Sequence, residues 1–230
     1  MAEQKPLSAA ERNRVSQTLT EIARSEKERK LRCYQQQNAY IQKGRTLFTG
    51  SSLMEQFPIT EFCLNEELPI AYNRGIGGYT TDDFLEAANT VLLDPQPRKL
   101  FINIGTNDIR PMPPGESWLA HLSANYRRIC ETIRERLPDT VVYMMAYYPV
   151  NSCVPGAKDN PALAVRTNDN IAVANRMVRG LADEFGFRYI DVNDGLKDGN
   201  GNLRAEFTED GVHFSAEGYR TVFERLKRWL

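Results

Sequence analysis

The sequence predicts an α/β protein, in which a sheet of parallel strands carries helices on both faces and a helical arm precedes the domain. Three observations lead there. From Arg45 onward, short apolar segments alternate with longer segments of helical period. Glycines and small polar residues gather just after the strand candidates. The chain has 230 residues, of which 41% are apolar, which is enough for one sizeable core.

The arm comes first. Ser8-Ala9-Ala10-Glu11 has the form of a capping box, and a charged helix is expected from there to about Gln42. Val15, Leu19 and Ile22 give it a short apolar stripe; Arg24, Glu26, Lys27, Glu28, Arg29 and Lys30 then form a largely solvated face. The arm, residues 1–44, is expected to pack on the domain, with a contact between two copies of the chain as the alternative. The domain runs from residue 45 to 230.

Strands are expected at 46–49, 70–73, 99–104, 141–146 and 188–192. Between them, Trp118, Leu122, Tyr126, Ile129, Ile133 and Leu137 recur at helical spacing, as do Ile171, Ala174, Val178, Leu181 and Phe185. A last helix carries Tyr219, Val222, Phe223, Leu226 and Trp229. Two stretches break the scheme. Residues 149–161 hold three prolines, and residues 193–215 hold Gly195, Gly199, Gly201 and Gly211. Long loops in a compact domain are usually functional or disordered.

Bulk properties exclude several functions. The net charge is −1 with no basic stripe, which argues against nucleic acid and anionic lipid. No apolar run is long enough to cross a bilayer, and Met1-Ala2-Glu3-Gln4-Lys5 lacks the apolar segment of a signal peptide, so a cytoplasmic protein is expected. Cys33, Cys63, Cys130 and Cys153 are far apart with no CxxC pair, and read as reduced thiols without a metal. No metal or cofactor is expected. Gly50-Ser51-Ser52-Leu53-Met54 lacks the second glycine of a nucleophile elbow. Gly75-Ile76-Gly77-Gly78-Tyr79-Thr80 ends in Thr and follows the second strand, which disfavours a dinucleotide site.

The chemistry lies in the loops. Gly50-Ser51-Ser52-Leu53 follows the first strand, Gly75-Ile76-Gly77-Gly78 the second, and Gly105-Thr106-Asn107-Asp108 the third. In an open parallel sheet these loops emerge at the carboxyl edge, where ligands bind. If the strand order is 2-1-3-4-5, Ser52 lies between the glycine loop and Asn107, as an acyl-transfer site with hydrogen-bond donors around an oxyanion requires. A serine needs a base. Of the two histidines, His121 reads as solvated helix surface, whereas His213 ends the long glycine-bearing loop, which could carry it back over Ser52. Asp210, three residues earlier, can reach the imidazole through one tight turn; Asp191 is the alternative acid.

G-S-S-L, N-R-G-I-G-G, G-T-N-D and D-G-V-H, in this order, resemble the four blocks of SGNH/GDSL hydrolases, and most of all the branch similar to platelet-activating-factor acetylhydrolase. The resemblance covers Arg45 to the C-terminus. It implies a three-layer, flavodoxin-like five-stranded sheet of order 2-1-3-4-5. It implies Ser52 as nucleophile, His213 as base and Asp210 as the acid that orients it. It also implies oxyanion donors from the Ser52 and Gly78 N–H groups and the Asn107 amide, with Gly77 as the alternative glycine. Ser51 stands where the first block usually has Asp, which is not the triad acid.

The expected activity is hydrolysis of carboxylic esters carrying short acyl groups, often acetyl, on a carbohydrate or other small alcohol. Tyr147 and Tyr148 could wall the pocket or simply pack at a strand end. A thioesterase or lysophospholipase would use the same residues but need an apolar trough. A non-catalytic carbohydrate- or protein-binding module is the rival from another class. It has no chemical reason to retain Ser52, Asn107, Asp210 and His213 together.

Overall fold

Every strand of the sheet is parallel to its neighbours, and the spatial order is β2-β1-β3-β4-β5. The strands are β1 (Thr46–Gly50), β2 (Ala71–Asn73), β3 (Lys99–Asn103), β4 (Val141–Met145) and β5 (Arg188–Ile190). This computed structural model describes residues 8–158 and 160–230; the polar run Met1 to Lys5 lies outside the described residues. The helices are α1 (Ala9–Asn38), α2 (Ser52–Glu55), α3 (Ile59–Asn65), α4 (Thr81–Glu86), α5 (Trp118–Arg136), α6 (Asn168–Phe185) and α7 (Ala216–Leu226). The expected fold class and strand order are those observed.

Alternation along the strands builds two cores. Leu47, Leu100, Ile102, Val142 and Met144 face one way, against Tyr34 of α1, Phe84 of α4 and the apolar stripes of α5 and α6. Phe48, Phe101, Tyr143 and Met145 face the other way, against Met54, Ile59 and Cys63 on α2 and α3 and Tyr219, Val222 and Phe223 on α7. Register places Phe48, Phe101 and Tyr143 side by side on adjacent strands, and their rings stack at 4.6 and 4.5 Å. Both faces of the sheet are therefore closed, as parallel strands require.

The arm begins as expected. Ser8 and Glu11 form the reciprocal capping box. It ends sooner, at Asn38 rather than near Gln42. The Asn38 side chain turns inward, donating to Thr90 O at 2.8 Å and accepting from Arg74 Nε at 2.9 Å, and the chain leaves the helix there. Only the second half of α1 packs on the domain. Val15, Leu19 and Ile22 are 47%, 60% and 51% exposed, so the expected apolar stripe faces outward. The helical segment after β1 is split into α2 and α3 by Pro58, which precedes Ile59.

Candidate active site

β1 ends at Gly50, where φ is 151° and a Cβ would lie 1.9 Å from Asn103 O of β3. Only glycine lets the two strands approach there. The chain then passes through Ser51, 2% exposed, and turns into α2 with Ser52 as its first residue. The Ser52 hydroxyl emerges at the carboxyl edge of the sheet, and Ser51 is buried beneath it.

His213 reaches that hydroxyl from the far end of the sequence. Its Nε2 lies 2.8 Å from Ser52 Oγ, and its Nδ1 lies 2.6 Å from Asp210 Oδ2. Asp210 also accepts from the backbone N–H groups of Val212 and His213 at 2.9 and 2.8 Å. The D-G-V-H turn is thus folded around one carboxylate. Burial acts to raise the Asp210 pKa, but the hydrogen bonds from the His213 ring and from the two backbone N–H groups outweigh it and hold it below the ordinary value. An ionised carboxylate only accepts, so Nδ1 carries the proton and Nε2 is left to accept from the serine. Asp191 is exposed and accepts from Asn193 N within its own turn, away from the imidazole.

The His213 loop is braced from two sides. Gly211 has φ 82°, and a Cβ there would come 2.2 Å from Asn151 O; a Cβ on Gly156 would come 2.2 Å from Glu209 O. Asn151 N donates to Gly211 O at 2.9 Å. The two irregular stretches of the sequence therefore clasp each other. On the other side Ser215 caps α7, and Phe214 packs edge-on against Tyr148 and Tyr219. Ala205, Glu206, Thr208, Glu209, Asp210 and His213 line a hollow of about 400 Å³ beside the imidazole.

The glycine loop forms the opposite wall. Ile76 N donates to Gly50 O at 3.0 Å, and a Cβ on Gly77 would lie 3.8 Å from Ser52 Cβ. The Gly77 N–H is taken by the Glu55 carboxylate. The Gly78 N–H makes no hydrogen bond to another described residue, and φ at Gly78 is 69°. The arm supports this wall: Tyr34 donates its hydroxyl to Gly75 O at 2.9 Å, and Lys30 pairs with Glu55 at 2.8 Å. Asn107 sits in the short helical turn after β3 and donates its amide to Tyr79 O, at the end of the glycine loop, at 2.9 Å. Asp108 accepts from the Thr81 backbone N–H at 3.0 Å and from its hydroxyl, tying the same two loops together.

The hydroxyl, imidazole and carboxylate meet at one rim of a doubly covered parallel sheet, and the sequence profile of the GDSL-like lipase/acylhydrolase family matches residues 58–221. The chain belongs to that family. The matched span contains Gly78, Asn107, Asp210 and His213 and begins beyond Ser52.

Solved structures of similar fold cover most of the chain. A Streptococcus pneumoniae protein provisionally designated a platelet activating factor is 28% identical, with a TM-score of 0.84 over 94% of this chain and 98% of that one. A protein from Bacteroides fragilis, provisionally designated an acylhydrolase, is 25% identical, with a TM-score of 0.69 over 85% of this chain and 93% of that one. An acetylxylan esterase from Geobacillus stearothermophilus shares the fold at 18% identity, with a TM-score of 0.61 over 82% of this chain and 95% of that one. Among curated proteins, an Escherichia coli N-acylneuraminate cytidylyltransferase is 28% identical over 154 residues, which are 66% of this chain and 33% of that protein. The chain thus spans about a third of that relative's length.

Of the two readings of Tyr147 and Tyr148 the packing one holds, His121 differs from its sequence reading, and Arg166 was absent from it. Tyr147 and Tyr148 are 1% and 3% exposed and pack in the cores, so they do not wall a pocket. Tyr147 nevertheless donates to Ile104 O at 2.7 Å and so props up the Asn107 loop from below. His121 is half-buried rather than solvated, 2.8 Å from Asp82. Arg166 carried no signal in the sequence. It follows the proline-rich loop and donates to Asn107 Oδ1 at 3.0 Å. Among the described residues, no helix is long and apolar enough to cross a membrane.

Proposed function

We propose that the chain hydrolyses carboxylic esters through an acyl-enzyme on Ser52, removing short acyl groups, acetyl foremost, from a carbohydrate or other small alcohol. The observation that carries this reading is the unbroken relay from Asp210 through His213 to Ser52, at 2.6 and 2.8 Å. His213 takes the serine proton as Oγ attacks the ester carbonyl, and Asp210 stabilises the imidazolium that forms. The oxyanion draws on the Ser52 and Gly78 N–H groups and the second hydrogen of the Asn107 amide. Engagement of the Gly77 N–H by Glu55 favours Gly78 over its neighbour. The imidazolium then protonates the leaving alcohol, and water, activated by the same base, releases the acid.

The surroundings favour a small, polar ester. The rim beside Ser52 consists of glycine backbone, Glu55 and Asn107, which offer a long acyl tail little to bury against. The hollow beside His213 offers Glu206, Thr208, Glu209 and Asp210 together with apolar surface from Ala205 and Phe214, a mixture that suits the polar rim and apolar face of a sugar ring. The Escherichia coli relative is named for an N-acylated sugar acid, which agrees with a carbohydrate alcohol.

A fluorophosphonate probe tests the nucleophile. Wild type should label and Ser52→Ala should not; labelling that persists in the variant refutes the assignment. A chain-length series of p-nitrophenyl esters tests the acyl group. Turnover should fall steadily beyond acetate and propionate, whereas a maximum at long chains would point to a lysophospholipase or thioesterase.

A further inference from the structure

Arg166 is an unusual cation. The residue is 7% exposed, yet its side chain makes no ion pair with any described residue. Among the described residues its side chain makes one hydrogen bond, from a terminal guanidinium nitrogen to Asn107 Oδ1 at 3.0 Å, and its Nε is buried with no partner there. Burial works to lower its pKa, and Asp108 and Asp210, the acids that face it, oppose that from beyond ion-pair distance. Its backbone is fixed: Arg166 N donates to Ala162 O at 2.9 Å, and Thr167 caps α6 immediately after it. A buried guanidinium without a neighbouring carboxylate is costly. The fold holds this one against the carbonyl end of a single side-chain amide.

We propose that Arg166 is a positioning residue for the oxyanion site, acting through Asn107. This rests on the serine-hydrolase reading above. An Asn side chain is nearly symmetric, and nothing in its shape decides which end faces the substrate. A cation on Oδ1 decides it, because the amide nitrogen must then point to Tyr79 O and the site. The charge-assisted bond also draws electron density toward Oδ1 and makes the remaining N–H a better donor. The ester carbonyl of the ground state carries little charge, but the tetrahedral intermediate carries a full negative one. The polarised Asn107 N–H therefore counts most where that charge appears, which lowers the barrier more than it tightens substrate binding.

The test is a double-mutant cycle on Arg166→Ala and Asn107→Ala with the neutral substrate p-nitrophenyl acetate. Loss of a hydrogen bond to a charged group should lower kcat by about 10–100-fold in Arg166→Ala, with KM nearly unchanged. The double variant should be no slower than Asn107→Ala alone, to within about twofold. Millimolar guanidinium should restore part of the Arg166→Ala rate and none of the double variant's. Arg166→Gln, which retains most of the stem and a neutral donor, serves the same cycle if the alanine variant does not fold, and thermal melting separates the cases.

Losses that multiply in the double variant, or a rise in KM at constant kcat, would overturn the proposal while leaving Ser52-dependent turnover intact. Turnover that survives Ser52→Ala would instead overturn the reading on which it rests.

Discussion

The hydroxyl of Ser52 is chemically ordinary, and the reactivity proposed for it comes from the imidazole that the fold places 2.8 Å away. Of the proposed oxyanion donors only Asn107 can be removed without touching backbone, so Asn107→Ala isolates that contribution. Turnover should fall roughly 10²–10³-fold with little change in melting temperature, as read by steady-state kinetics beside a thermal melt. Asp210 makes a separate prediction in pH. Its folded pKa lies below the unfolded value, so its contribution to stability is complete above the ordinary aspartate range, near about 3.9, and disappears as pH falls through the lowered value. The melting temperatures of wild type and Asp210→Asn should therefore differ most near neutrality and converge in acid. A gap that stays constant with pH would show that the carboxylate is not held by the His213 ring and the two backbone N–H groups.

At the scale of elements, the two halves of α1 do different work. The second half grips the glycine loop through Tyr34 and Lys30 and reaches Arg74 through Asn38. Tyr34→Phe removes the bond to Gly75 O, and should cost about 1 kcal/mol of stability and lower kcat by loosening the loop that offers Gly78. Leu19→Ala, on the exposed half, should change neither; denaturant melts and kinetics on both variants check the contrast. The His213 loop depends on backbone geometry instead. Gly211→Ala puts a side chain at positive φ and against Asn151 O, so a loss of about 1–3 kcal/mol is expected, together with a loss of activity as His213 moves.

These elements also mark the limit of what sequence reveals. The capping box of α1 was legible because Ser8 and Glu11 sit three apart and bond locally. The outward turn of Val15, Leu19 and Ile22 was not, because no local pattern says where the domain surface ends.

At the scale of the whole molecule, both cores follow from periodicity, whereas the strand order followed from the resemblance to SGNH/GDSL hydrolases. The stacked rings of Phe48, Phe101 and Tyr143 should make that core stiff, and Phe101→Ala should cost roughly 3–5 kcal/mol in a denaturant melt. Ser52, His213 and Asp210 could be singled out because acyl transfer requires those residue types and the four blocks fall in order, and the fold brings the three within hydrogen-bond reach. Arg166 was not, since a lone arginine after a proline-rich loop carries no spacing, and its meaning arises only when the chain folds it against Asn107. Tyr147 is similar: the sequence places an aromatic ring at a strand end but not the carbonyl it supports.

The bond between residues 52 and 213 spans 161 positions of chain. A polypeptide still emerging from the ribosome therefore holds an idle serine until the loop that bears its base has been synthesised and folded. On the proposed chemistry a chain that stops short of residue 213 would lack its base, and the onset of turnover would itself report that the segment bearing His213 has docked.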